Sequence, residues 1–283
     1  MTSCRVRRRR GSSLESAWFM AAIFPRGLAH SGGELSGKSV NVLASVVARP
    51  WERSMSTFTH TRNTLVLPGI TLISAGVLAA AVMMLHPEAS GAGAEARLQS
   101  LVAISSLSMH VHLAMIVFTI AVWLSLAYAV RAWPASGWVW AASRLYSIAA
   151  VAMLGAALIS GFVMGAYLSR ALPAVPAIEY ALPSALLAFS ANQVLAGFST
   201  VLMSLAILLW SAEVVRHRQL LARVCGIYGI TAGTMCIVVY SGGMLSLNAS
   251  GMTVVVFVHA IWYCLLGSWL VAWSAADGNN SAV

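Results

Sequence analysis

Residues 103–130 read AISSLSMHVHLAMIVFTIAVWLSLAYAV, a run of 28 without a single Asp, Glu, Lys or Arg. About 20 helical residues at 1.5 Å each are enough to cross a hydrocarbon core of roughly 30 Å. Five further runs match this one in length and character: Thr64–Leu85, Ser147–Leu168, Ser184–Trp210, Leu221–Tyr240 and Thr253–Trp273. All are rich in alanine, leucine and valine, and none alternates with the period of a membrane barrel strand. Backbone in lipid must satisfy its own hydrogen bonds, which a helix does within one segment. The expected fold is therefore all-α, a polytopic membrane protein built as a bundle of about six transmembrane helices over residues 55–283.

Composition agrees. Of 283 residues, 59% are hydrophobic and 9% charged, against about 25% charged in a typical soluble domain. So few charges could not cover a water-soluble globule of this length. From Met55 onward there are eight arginines, no lysine and five acids, all between the runs or at their ends. With the N-terminus inside, the inner segments hold Arg62, Arg131, Arg144, Arg216, Arg218 and Arg223, and the outer loops only Arg97 and Arg170. The positive-inside bias then predicts both termini on the cytoplasmic side, of a bacterial inner membrane or its organellar equivalent. His217 falls within the inner arginine cluster and reads as interfacial charge.

Residues 1–54 differ. They carry nine basic and three acidic residues, including the run Arg7–Arg10, so most of the net charge of +9 belongs to them. Four readings stand: a disordered basic extension on anionic headgroups, a transit peptide, a secretory signal around Ala17–Phe24, or upstream sequence before a start at Met55. No aromatic interleaving or fold signal points to nucleic acid. The expected surroundings are the lipid bilayer and, for an assembly role, other membrane subunits. Cys225, Cys236 and Cys264 show no paired spacing and read as small buried hydrophobes. Gly161-x-x-x-Gly165 and Gly229-x-x-x-Gly233 predict close helix contacts.

Polar groups at membrane depth cost several kcal/mol unless they find partners, so they are the candidates for function. His110 and His112 in the second run, Asn192 and Gln193 in the fourth and His259 in the sixth all fall roughly 10–14 Å below the outer surface. His86 closes the first run at that surface. Residues two apart on a helix point about 200° from one another, which separates the two histidines of the second run. His112 shares a face with Ser105, Ser108 and Thr119 and should look inward, whereas His110 should look to lipid or a neighbour. In the fourth run Ser190, Gln193, Gly197, Thr200 and Ser204 make an inward stripe, and His259 and Tyr263 lie one turn apart in the sixth. Neutral imidazoles suit heme iron, copper or zinc; they equally serve as helix glue, bonding a serine or a carbonyl. His112, His259 and His86 are the metal candidates, with His110 and Tyr263 beside the cofactor. Met83, Met84, Met109, Met164, Met244 and Met252 gather near the outer face, where thioethers would handle copper(I) or merely fill gaps. No carboxylate lies within a run, which argues against an ion-coupled transporter.

Met109-His110-Val111-His112-Leu113, opening a long apolar helix, resembles the His-x-His-Leu start of a helix in heme-copper oxidase subunit I, and most of all small cbb3-type relatives. The likeness runs from Ser105 to Arg144. It implies heme b, with His110 or His112 as an axial ligand. The chain departs from that family in having six helices rather than twelve and no set of three histidines for copper. Heme b without oxygen reduction is what the resemblance implies. Two expectations result: a heme-binding redox or sensory membrane protein, in which the pairing of His112 with His259 across one iron is the sharpest expectation, or a non-catalytic small-solute permease or assembly subunit.

Overall fold

The structure is a computed structural model that describes residues 65–132, 136–172 and 177–278. The expectations for residues 1–54 and Arg62 lie outside these, as do those for the side chains of Arg131 and Glu179. The described elements are α-helical. We number them α1 (Val66–Met83), α2 (Ala94–Ala103), α3 (Ser105–Ala132), α4 (Gly137–Leu158), α5 (Met164–Ala171), α6 (Ala177–Val214), α7 (Leu220–Ser241) and α8 (Ala249–Gly278). A π-helical turn, Ile159–Val163, joins α4 to α5 without a break. Six spans are long and apolar enough to cross a membrane. The chain is an integral multi-pass membrane protein.

The spans pack as a closed ring. α1 lies against α3, α3 against α4, α4 against α6, α6 against α7, α7 against α8, and α8 returns to α1. Their outer faces carry large apolar side chains: Leu67, Leu187 and Val194 are each at least 70% exposed, as befits surfaces solvated by lipid. The inward faces depend on small residues. A Cβ on Gly69 would come within 2.7 Å of the Gly267 carbonyl oxygen, and one on Gly76 within 3.2 Å of the Ala260 carbonyl. Only glycine lets α1 and α8 approach so closely. Both sequence motifs of small residues do what their spacing predicts. Gly229 faces Ser211 and Trp262, Gly233 faces the Ser204 carbonyl, Gly161 abuts the His112 side chain and Gly165 meets Ser105.

The third span is longer than its apolar run, covering Gly137–Ala171. Its π turn inserts an extra residue, which turns the following helix by about 100° and carries Gly161 and Gly165 onto α3. At the end of the bundle that includes His86, α7 ends at Ser241 and the chain turns away through Gly243, whose φ of 69° favours glycine. Asn248 then starts α8 by accepting the Gly251 N–H at 2.9 Å. Asn248 is thus the N-terminal cap of α8. At the opposite end Ser136 donates to Glu213, which also binds Arg216.

Candidate functional site

α1, α3, α4, α6 and α8 line a partly open chamber of about 70 Å³. His259 and Tyr263 reach it from α8, Tyr146 and Met153 from α4, Thr200 and Met203 from α6, Met115 and Thr119 from α3. His259 is 5% exposed, and its Nε2 lies 3.1 Å from the Ser204 hydroxyl. The Tyr146 and Tyr263 hydroxyls meet at 2.8 Å, so each phenol is the other's partner. Among the described residues no acid, lysine or arginine borders the space. Among the described residues, every buried side-chain nitrogen and oxygen has a hydrogen-bond partner.

His112 belongs elsewhere. It is buried on the inward face of α3, as its helical phase predicts, but it does not border the chamber. Its Nδ1 donates to the Ser108 carbonyl of its own helix at 2.7 Å, with the Ser108 hydroxyl at 3.3 Å. Its ring meets that of His86 edge to face, the centroids 5.0 Å apart. His86 lies just past α1, and its Nδ1 is 3.0 Å from the Pro87 carbonyl. Burial holds His86 below the usual histidine pKa, against the opposing pull of that bond and of Glu88.

The structure therefore divides the predicted constellation in two. His86 and His112 meet at one end, and His259 and Tyr263 lie together at the chamber. α1 stands between α3 and α8, so the second and sixth spans are not neighbours in the ring. The chamber is about half the volume of the ~150 Å³ engineered cavity that admits benzene, and a porphyrin does not fit it. In this arrangement His112 and His259 are not placed across one iron.

The remaining predicted residues fall as follows. His110 is exposed on the outside of α3, bonded to the Ser106 carbonyl at 2.7 Å. Gln193 is half-buried and donates to the Leu247 carbonyl, tying α6 to the loop before α8. Asn192 is half-buried beside it. Ser190 corrects the predicted inward stripe: it is exposed, its hydroxyl returned to the Leu186 carbonyl. A serine that bonds its own helix can face lipid, and the buried stripe begins only at Gly197, Thr200 and Ser204. His217 packs on Trp269 and Trp273, with centroids at 5.0 and 5.8 Å, so it is more than interfacial charge. The three described cysteines are free thiols.

Of the methionines predicted to gather at the outer face, only Met252 borders the chamber, and Met84 and Met244 are exposed. The chamber's other thioethers, Met115, Met153 and Met203, come from mid-helix positions that sequence reasoning passed over, as it did Tyr146. Tyr146 and Met153 lie two turns apart on one face of α4, a spacing that marks a shared face, but no spacing signal ties them to Met115 on α3 or Met203 on α6. Among the described residues no three His, Cys, Asp or Glu side chains converge on a metal position.

Comparison with protein-family models, with curated proteins and with solved structures finds no match. No match supports the likeness that runs from Ser105 to Arg144.

Proposed function

We propose that the chain is a facilitative membrane carrier of small neutral solutes, with the chamber as its binding site and both termini on the cytoplasmic side. One observation supports it above others: a partly open space between five of the spans, lined by thioethers, two phenols, two threonines and one imidazole, with no charged side chain among the described residues that border it. An ion entering it would lose its hydration with nothing to replace it. A neutral solute of a few heavy atoms meets apolar wall and hydroxyl groups instead. The lack of a carboxylate at the chamber removes the usual means of coupling to a cation gradient, so the flux would be passive.

The test is solute uptake by proteoliposomes, followed by light scattering, with urea, glycerol and ammonia as probes. One of them should enter faster than into protein-free vesicles. Ala75→Phe and Met115→Phe, each filling the chamber from a different helix, should bring the rate back to the protein-free value. Equal entry with and without protein for all three probes would overturn the carrier and favour an assembly subunit. A Soret band in the detergent-purified protein would return the reading to heme b, and would require the spans to part around it.

A further inference from the structure

The chamber leaves the pair at the other site, His86 and His112, without a role. Each ring has one nitrogen committed. A backbone carbonyl can only accept, so Nδ1 of His86, against Pro87, and Nδ1 of His112, against Ser108, each carry the proton. Both Nε2 atoms then carry a lone pair. Neither has a hydrogen-bond partner among the described residues, and since no buried side-chain nitrogen there is left unpartnered, neither Nε2 is fully buried. An imidazole whose Nδ1–H is anchored on a carbonyl is the form in which histidine serves as a metal ligand.

The spacing fits as well. With metal–nitrogen bonds of about 2.0–2.1 Å at a tetrahedral angle, two bound imidazoles have ring centres about 5 Å apart; here they are 5.0 Å apart, crossing at 70°. The His112 ring is held from behind, because Gly161 in the π turn packs directly on its Cβ and Cγ. α3 and the π turn thus fix one imidazole, and the end of α1 brings the other to it.

We infer that His86 and His112 bind a borderline divalent transition-metal ion of the zinc class through their Nε2 atoms, with water completing its shell. No third protein ligand converges there among the described residues, so the ion keeps open positions. Its affinity is that of an exchangeable site, unlike a closed structural one. Glu88, two residues from His86 and held by the Ser250 hydroxyl at 2.9 Å, adds negative charge at the approach. The site is independent of the carrier reading: it shares no residue with the chamber.

The full chain in detergent micelles, stripped with chelator and dialysed against zinc chloride, should take up one zinc per chain above background. His86→Ala and His112→Ala should each weaken that uptake at least about tenfold, the minimum seen for loss of even an outer-shell partner. His110→Ala, two residues away and facing outward, should keep it. Should His112→Ala fail to fold, His86→Ala alone reads the site, since His86 lies beyond the end of α1. Undiminished zinc uptake in His86→Ala would overturn the inference, as would equal loss in His110→Ala.

Discussion

The two ends of this bundle are filled differently. Toward Glu213 the core is aromatic. Trp210 stacks on Trp262 at 5.9 Å and Trp269 on Trp273 at 5.1 Å. The indoles are also pinned, Trp262 to the Ser211 hydroxyl at 2.8 Å and Trp269 to Gln219 at 2.6 Å. Toward His86 the inward positions include alanine, glycine, threonine, valine and methionine, and there the chamber lies beside the Tyr146–Tyr263 pair. Large planar side chains with a polar edge interlock and leave no room. Small residues and flexible thioethers close the ring without filling its centre. One half of the molecule holds the spans together, and the other half has space to do something.

Trp262→Ala is the severest challenge to that contrast. Removing a fully buried indole that stacks, bonds and faces Gly229 should cost about 3–5 kcal/mol in reversible unfolding in mixed micelles. A loss below 1 kcal/mol would mean the aromatic end is not the structural half. Gly229→Ala at the same end drives a methyl into Ser211 and Trp262 and should cost about 1–3 kcal/mol. A neutral result there would show that the two helices can separate freely.

Beside the chamber, Ser204→Ala takes away the hydrogen-bond partner that His259 Nε2 has among the described residues, an expected loss of about 1–3 kcal/mol. Tyr146→Phe, which leaves the ring in place and removes one hydroxyl, should cost less, about 0.5–1.5 kcal/mol. If Tyr146→Phe proved the costlier of the two, the phenol pair would be a structural tie and not the floor of a binding space. His110→Ala, on the outer face, should stay within about 0.5 kcal/mol of the unmutated chain.

The His86 end should also answer to acid. Burial lowers the pKa of His86 from 6.5, so the fold prefers its neutral form. The stability it contributes is present above the unfolded value of 6.5 and falls as the pH drops through the lowered value. Unfolding followed from pH 8 to pH 5 should therefore show a decline that His86→Ala reduces. A rise in stability on acidification would reverse the sign and exclude a half-buried neutral imidazole.

Much of this architecture was legible in residue order. Six uncharged runs leave a chain no alternative to spanning helices, because lipid offers no partner to an unpaired backbone group. Helical phase alone put His112 inward, His110 outward and His259 on one face with Tyr263, since 100° per residue is a property of the helix and not of its neighbours. The glycine pairs announced close approach because nothing else about them could be useful at membrane depth.

Which helices stand side by side was not legible. Depth in the bilayer follows from counting residues, but two groups at one depth can lie on opposite sides of a ring. His112 and His259 share a level in the count and are separated by α1, whereas Tyr146 and Tyr263, 117 positions apart in the chain, touch. The pairing of spans depends on how the glycine seam between α1 and α8, and the π turn that seats Gly161 on His112, allow backbones to close up. Those are many weak, short-range contacts summed over whole helix faces, and they exist only once the helices are packed.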